Sequence, residues 1–361
     1  MAEKFSFDAT LGPRTVVVVG TGGTIAGTAA TAGDNVGYTA AQVGVGQLLD
    51  AVPGLQQMGV TLLAEQVAQL DSKDMTHAVW QQLAWRVAHW VAQPEVCGVV
   101  ITHGTDTLEE TAYFLQAVLD PEKPVVLTCA MRPSTAVAPD GPQNLLDAVA
   151  VAKTPGARGV VAVCAGTVHG ALDVQKVHTY RLDAFGSGDA GPLGHVEEGV
   201  LRRLRPWPLG NGLPERFKQS LPFKGSALAQ AAIQHIAKTD AFAHLQPDVN
   251  QWPEVEIIVS HAGATGTVVQ ALVAQGVRGL VVATTGNGSV HHVLEAALRA
   301  AMAKGVAVLR ATRCTSGRIV VAAGDGAQTQ QAQQTLPDAG GLSPVKARVA
   351  LMLALLSPIE D

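Results

Sequence analysis

Apolar residues along the chain follow two spacings, and the two spacings alternate. Residues 15–19 are an unbroken β-branched run that ends in a glycine cluster, which is typical of a strand buried on both faces. Residues 76–91 carry apolar side chains three, four and seven positions apart, as an amphipathic helix does, and residues 96–101 resemble another buried strand. The pattern therefore predicts a strand, a helix and a second strand in succession.

The same alternation continues over the rest of the chain. It predicts further strands at residues 125–128, 159–164, 255–259 and 280–283. It predicts further helices at residues 108–119, 144–152, 268–275, 292–303 and 345–356. Asp106 or Thr107 is expected to be the N-cap of the first of these helices. Strands that alternate with helices indicate an α/β fold with a mostly parallel sheet.

The segment between residues 194 and 252 interrupts this alternation, because prolines and polar residues replace the periodic runs. We expect the domain boundary in this segment. The predicted organisation is an N-terminal domain over residues 1–220, a linker over 221–253 and a C-terminal domain over 254–361. A chain of 361 residues, 47% of them hydrophobic, can bury the two cores that this organisation requires.

Composition excludes several classes of protein. The formal net charge is −5 and no basic run is present, so nucleic acid is not an expected partner. The four cysteines show no C-x-x-C spacing, and we expect reduced, buried thiols. No apolar run has the length of a signal peptide or a membrane span. This predicts a soluble cytoplasmic protein, or a periplasmic one if a leader has been removed.

Two loops that follow predicted strands carry the candidate chemistry, because ligands of open α/β sheets bind beyond the carboxyl ends of the strands. The first loop, residues 20–27, reads Gly-Thr-Gly-Gly-Thr-Ile-Ala-Gly. It lacks the third small residue of a dinucleotide site and the lysine of a P-loop, so a nucleotide-binding oxidoreductase is the weaker alternative. Its glycines instead permit close approach of the backbone to a ligand, with the Thr24 hydroxyl presented from the turn.

The second loop, residues 102–110, places hydroxyls, an imidazole and carboxylates at the start of a helix. Free N–H groups and the helix dipole favour anionic groups at such a position. Helix capping alone would also explain a single loop of this kind. Two hydroxyl-rich loops at adjacent strand ends favour a functional site.

The residues of these loops resemble a known family. Residues 21–27 and 103–107 are similar to the two signature motifs of bacterial L-asparaginases, and residues 130–134, Ala-Met-Arg-Pro-Ser, are similar to a third family segment. The similarity continues at residues 140–145, 286–288 and 346–349. It implies a larger N-terminal Rossmann-like or flavodoxin-like domain with a mixed sheet, and a smaller C-terminal α/β domain with a parallel sheet.

The resemblance implies an enzyme that hydrolyses the side-chain amide of L-asparagine to L-aspartate and ammonia. Thr24 would be the nucleophile, with Tyr38 from a mobile lid as its close partner. The second catalytic cluster would consist of Thr105, Asp106 and Lys176. Residues 26–38 carry almost no large apolar side chain, so core packing cannot hold this lid, although a plain surface loop remains the alternative.

For substrate binding, the resemblance assigns Ser72 to the α-carboxylate and Asp106 to the α-amino group, with Thr105 beside them. No metal and no organic cofactor is expected. The family forms homotetramers, dimers of dimers, with each active site between the N-terminal domain of one subunit and the C-terminal domain of another. Two alternatives stay open. One is a glutaminase-asparaginase, since one methylene changes discrimination by only about 1–3 kcal/mol, and the other is a non-catalytic amino-acid sensor.

The sequence departs from the family pattern at two places. Lys73 follows Ser72 where many members carry glutamine or another small polar residue, and we expect its ammonium to point outward and pair with Asp71 or Asp74. The asparagine and the acidic residue that members supply from a neighbouring subunit are not evident. The candidates to replace them are His261, Thr265 and Asp325. We therefore expect weak recognition of the substrate amine and a raised KM.

Overall fold

The computed structural model describes residues 3–5, 14–31, 33–210, 248–320 and 336–356. The chain divides into two compact units, residues 1–210 and 211–361. The predicted linker, residues 221–253, lies outside the described residues as far as residue 247. Among the described residues there is no helix of sufficient length and apolar character to cross a membrane.

The first unit is built on one large sheet and two small strand pairs. Its strands are, in chain order, β1 (Glu3–Phe5), β2 (Thr15–Gly22), β3 (Thr28–Ala29), β4 (Tyr38–Thr39), β5 (Thr61–Leu70), β6 (Val96–Thr102), β7 (Val125–Thr128), β8 (Val160–Cys164), β9 (Thr167–Gly170), β10 (Gln175–Lys176), β11 (Phe185–Gly186), β12 (Gly194–Glu197) and β13 (Val200–Arg203). The strands β3 and β4 pair with each other, as do β10 and β11.

The large sheet has nine strands in the order β1-β5-β2-β6-β7-β8-β9-β12-β13. The central strands from β5 to β8 are parallel. The strand β1 at one edge and the strands β9, β12 and β13 at the other pair antiparallel with their neighbours. This arrangement confirms the predicted mixed-sheet α/β domain. It also places β5, β2 and β6 side by side, so that the loops that follow these strands leave the same edge of the sheet.

Helices cover both faces of this sheet. They are α1 (Val45–Asp50), α2 (His77–Val91), α3 (Leu108–Leu119) and α4 (Gly141–Ala152). Successive residues of a strand point to opposite faces, and residues 16–19 are all fully buried, so neither face is open to solvent here. On one face, alternate strand residues such as Val16 and Val18 pack with Leu49 of α1 and Leu145 of α4.

The strand β5 is the main element that the hydrophobic pattern does not predict. Its apolar residues Leu62 and Ala64 are buried, but polar residues interrupt the run. The carboxylate of Glu65 accepts hydrogen bonds from Arg86 Nε (2.6 Å) and Trp90 Nε1 (2.5 Å), both on α2. Polar partners on the covering helix thus replace the apolar side chains that an unbroken run would supply.

The second unit is a smaller α/β domain. Its strands are β14 (Val255–Val259), β15 (Gly279–Thr284) and β16 (Ala307–Thr312), and its helices are α5 (Thr267–Ala274), α6 (His292–Ala303) and α7 (Pro344–Leu356). The three strands are parallel and lie in chain order, which confirms the predicted parallel-sheet domain. All four cysteines are free. Cys129 and Cys164 are buried as expected, but Cys97 is only half-buried and Cys314, just beyond β16, is exposed, so the expectation of a buried thiol is wrong at Cys314 and only partly met at Cys97.

Candidate active site

Three loops meet at the carboxyl edge of the first sheet, and glycines allow them to touch. Gly23 follows β2 with a φ of 82°, and a Cβ atom there would clash with the backbone of Gly104 in the loop after β6. A Cβ atom on Gly104 would in turn clash with the side chain of Ser72, in the loop after β5. The sequence predicts that the glycine loop approaches a ligand closely, whereas the close approach seen in the structure is to a second loop.

The Thr24 hydroxyl lies in the first of these loops and contacts the lid. Thr24 begins a short 3-10 turn, Thr24–Ala26, and is buried. The hydroxyl of Tyr38 lies 2.7 Å from Thr24 Oγ1, within hydrogen-bond distance. Tyr38 reaches this position from β4, where it lies opposite Ala29 of β3. The lid is thus a small hairpin whose aromatic residue covers the Thr24 hydroxyl.

A lysine joins the two polar residues of the second loop. Lys176 lies on β10, and its Nζ donates to Thr105 Oγ1 at 2.8 Å and to Asp106 Oδ1 at 2.5 Å. The Lys176 side chain is 19% exposed, whereas that of Asp106 is 52% exposed. Since Thr105 Oγ1 accepts from the ammonium, its own hydrogen is available to a further acceptor. Asp106 keeps one carboxylate oxygen for a cationic group.

Ser72 lies directly behind this loop. It is buried, and its Oγ accepts a hydrogen bond from the backbone N–H of Asp106 at 3.2 Å. Its carbonyl oxygen accepts from the hydroxyl of Thr107 at 2.8 Å. Thr107 is the N-cap residue of α3, as predicted, but its side chain makes no capping hydrogen bond. The hydroxyl of Thr107 instead fixes the loop after β6 to the loop after β5.

Lys73 points away from these groups, as expected from the sequence. Its side chain is 61% exposed, pairs with Asp74, and lies 3.9 Å from Asp71. The hydrogen bond to Asp74 raises the pKa of the Lys73 ammonium above its usual value. The charge is therefore held on the surface beside carboxylates of its own loop.

The sequence does not predict that His103 is buried. Its imidazole is fully buried, with Nδ1 2.7 Å from the carbonyl oxygen of Gly104 and Nε2 2.9 Å from the hydroxyl of Thr111. The indole Nε1 of Trp80 donates to the same hydroxyl at 2.9 Å. A carbonyl only accepts, so Nδ1 carries the proton and Nε2 accepts from Thr111. Burial lowers the pKa of His103 to about 4, which keeps the ring neutral.

The third family segment, residues 130–134, follows β7 and is fixed by one carboxylate. The two carboxylate oxygens of Asp140 accept the backbone N–H groups of Met131 (2.9 Å) and Arg132 (3.0 Å). Asn144 of α4 donates from Nδ2 to Asp140 at 3.1 Å and to the carbonyl of Cys129 at 2.9 Å. The sequence has no local pattern that predicts these contacts. They fix the position of this segment next to the lid.

The three residues that could replace the amine-binding groups of a neighbouring subunit belong to the second unit. His261 is exposed, with Nδ1 2.8 Å from the carbonyl oxygen of Ala262. Thr265 is also exposed, and its hydroxyl lies 3.3 Å from that of Thr267. Asp325 lies outside the described residues. Their role in binding an amine stays a prediction.

Thr24 and Thr105 thus lie on two loops that contact each other at the carboxyl ends of the parallel strands β2 and β6. Tyr38 contacts Thr24, and Lys176 contacts Thr105 and Asp106. Hydroxyl groups in hydrogen-bond contact with a phenol and an ammonium, at this edge of the sheet, are typical of enzymes that react through a side-chain oxygen. The fold and the site therefore define an α/β-fold enzyme whose candidate site is built from hydroxyl, carboxylate and ammonium groups.

Comparison with known proteins identifies the family within this class. The family model described as "Asparaginase, N-terminal" matches residues 15–207, and that of the "Glutaminase/Asparaginase C-terminal domain" matches residues 254–359. L-asparaginase 2 of Escherichia coli strain K12 is 37% identical over 94% of this chain and 88% of its own length. Glutaminase-asparaginase of Pseudomonas fluorescens biotype A is 36% identical over 94% and 86%.

A solved structure agrees with these relatives. The crystal structure of a probable cytoplasmic L-asparaginase from Campylobacter jejuni matches this chain with a TM-score of 0.78 at 34% identity, over 96% of both chains. The chain belongs to the asparaginase/glutaminase family of amidohydrolases. The resemblance noted in the sequence and the two-domain α/β fold that it implies are thereby confirmed.

Proposed function

We propose that this chain is an L-asparaginase that hydrolyses the side-chain amide of L-asparagine to L-aspartate and ammonia. The observation that carries the proposal is the juxtaposition of two hydroxyl clusters at one sheet edge, Thr24 with Tyr38 and Thr105 with Lys176. A protein of the asparaginase/glutaminase family in which each threonine hydroxyl has such a hydrogen-bonding partner has the groups required for amide hydrolysis.

In the proposed first step, Thr24 Oγ1 attacks the amide carbon and forms an ester with the aspartyl group. The hydroxyl hydrogen of Thr24 passes through the Tyr38 hydroxyl to the leaving amide nitrogen, which departs as ammonia. This route is supported by the 2.7 Å contact between the two hydroxyls. In the second step, water adds to the ester carbon, aspartate leaves, and one water hydrogen returns to Thr24 Oγ1.

The second cluster is proposed to bind and orient the substrate. Lys176 fixes Thr105 and Asp106, so the free hydrogen of Thr105 and the free oxygen of Asp106 face partners other than the lysine. Asp106 would take the substrate ammonium, and Ser72 would donate its hydroxyl hydrogen to the α-carboxylate. Ser72 Oγ already accepts from Asp106 N–H, so its own hydrogen is available. Such fixed groups reduce the entropic cost of reaching the reactive geometry.

Broad specificity for asparagine and glutamine is the second candidate, because one relative is a glutaminase-asparaginase at 36% identity. The test is ammonia release from L-asparagine and L-glutamine, compared as kcat/KM, with Thr24→Ala as the inactive control. We expect a preference for asparagine of about tenfold or more, which is within the discrimination that one methylene provides. Equal values would favour the broad enzyme, and binding of asparagine without ammonia release would indicate a sensor.

We also propose a cytoplasmic homotetramer. The proposal is supported by the family resemblance and by exposed apolar side chains on the second unit, among them Val259, Val268 and Val293. The relatives are named for different compartments, cytoplasmic in one case and periplasmic in another. Light scattering of the purified protein tests the tetramer, and fractionation of cells that express the native gene tests the location.

A further inference from the structure

The first half of the lid is bound by two residues of the loop after β7. The backbone N–H and the hydroxyl of Ser134 both donate to the carbonyl oxygen of Gly27, at 3.0 and 2.8 Å. The hydroxyl oxygen of Thr135 accepts the backbone N–H of Ala29 at 2.9 Å, and its carbonyl accepts that of Gly33 at 3.3 Å. Four hydrogen bonds thus join Gly27, Ala29 and Gly33 to this pair.

Core packing does not hold the lid in place. No described residue between 28 and 40 is buried, and Val36 at the tip is largely exposed. The carboxylate of Asp34 accepts the N–H groups of Val36 and Gly37, so these contacts shape the tip without attaching it to the domain. A segment with so little buried apolar surface depends on its external hydrogen bonds for its position.

The hydrogen bonds of Ser134 and Thr135 meet the lid on the edge that the hairpin leaves open. Thr28 and Ala29 of β3 lie opposite β4, while the carbonyl of Gly27 and the N–H of Ala29 bond to the Ser134–Thr135 pair. Ala29 is also the residue directly opposite Tyr38 on the hairpin. The loop after β7 therefore bonds to the outer side of β3, as a third strand would, at the residue that lies opposite Tyr38.

The anchoring pair is itself immobilised. Met131 and Arg132, separated from the pair only by Pro133, are bound through their N–H groups by Asp140, and Asn144 links Asp140 to the end of β7. A displacement of the lid from Ser134 and Thr135 is therefore not absorbed by movement of the loop after β7. The lid either makes these bonds or loses them.

We propose that Ser134 and Thr135 are positioning residues of the reaction, which hold the lid closed so that the Tyr38 hydroxyl stays against Thr24 Oγ1. This inference rests on the proposed function. Neither residue touches Thr24, so both act through Tyr38. The site thus includes a closing contact that none of the five expected catalytic side chains provides.

The first test is hydrogen–deuterium exchange of lid peptides in the wild type, Thr135→Val and Thr135→Ser. Valine keeps the shape of threonine but cannot accept from Ala29 N–H, whereas serine can. We expect exchange in the lid to become about two- to tenfold faster in Thr135→Val, the loss expected for one hydrogen bond, and to return to the wild-type rate in Thr135→Ser. Unchanged exchange in Thr135→Val overturns the inference.

The second test separates positioning from general weakening of the structure. We expect Thr135→Val to lower the kcat of ammonia release about two- to tenfold in the wild type, with the Ser134→Ala/Thr135→Val double variant lower still. In a Tyr38→Phe background the same change should leave kcat nearly unaltered, because the phenol that the lid positions is gone. Equal losses in both backgrounds would show that the pair does not act through Tyr38.

The two tests also distinguish this inference from the proposed function. Absence of ammonia release in the wild type overturns the proposed function, and the catalytic part of this inference falls with it. Normal ammonia release with unchanged lid exchange overturns the inference alone. Thermal unfolding of each variant checks that the fold is kept, which the surface position of Ser134 favours.

Discussion

Acid should destabilise the first unit through His103. The ring is neutral in the folded chain, because burial lowers its pKa from 6.5 to about 4. In the unfolded chain the same ring takes up a proton near its ordinary pKa. Between these two values the unfolded state binds a proton that the folded state excludes, so the free energy of unfolding falls as the pH decreases.

The size of this effect follows from the pKa difference. At about 1.4 kcal/mol per pKa unit, a shift from 6.5 to about 4 corresponds to a loss of about 3 kcal/mol over the whole range. At about pH 5 the loss is about 2 kcal/mol relative to about pH 8, where the ring is neutral in both states. A loss of this size is a large fraction of the stability of an ordinary domain.

Urea unfolding of the wild type and His103→Asn at these two pH values measures the effect. Asparagine does not titrate, and its side-chain amide can replace the Nδ1 donor to the carbonyl of Gly104. Carboxylates titrate in both proteins and cancel in the comparison. The wild type should therefore lose about 2 kcal/mol more than the variant on acidification. An equal loss in the two proteins would refute the assignment of a buried neutral imidazole.

Three further substitutions test the site through ammonia release and thermal unfolding. Tyr38→Phe should lower kcat about 100-fold with an unchanged unfolding temperature, since only the relay hydroxyl is lost; normal kinetics would remove Tyr38 from the reaction. Lys176→Met should lower kcat by about 100-fold or more, because Thr105 and Asp106 lose their shared donor; a change in stability alone would make the lysine structural. Lys73→Gln should leave kcat/KM within about twofold, and a large rise in affinity would place the ammonium near the substrate.

Local hydrophobic spacing predicted the elements that are buried on both faces. The strand expected at residues 15–19 is β2, and the helix expected at 108–119 has the observed limits of α3. These elements are revealed by their own side chains, because the burial of each residue is determined by its position on the strand or helix. The strand β5 was missed because Glu65 is satisfied by partners on α2, which no window of sequence contains.

The candidate site shows the same division between local and distant contacts. Thr24 and Thr105 stand out because glycines and hydroxyls cluster next to predicted strand ends. The contact of Ser134 with Gly27 joins residues 107 positions apart, and nothing in either segment indicates the other. The link from Trp80 through Thr111 to His103 is likewise visible only after α2 and α3 have packed. The sequence therefore predicts which loops carry the candidate site residues, while the folded chain is needed to show which distant contacts fix those loops in position.

The proposed function depends on attack of the Thr24 hydroxyl on the substrate amide. The most direct measurement is kcat for ammonia release from L-asparagine by the wild type, Thr24→Ser and Thr24→Ala. Alanine removes the nucleophile, and we predict a loss of about 1,000-fold or more, whereas serine keeps a hydroxyl and should retain measurable turnover. Turnover by Thr24→Ala within about tenfold of the wild type would exclude Thr24 as the nucleophile.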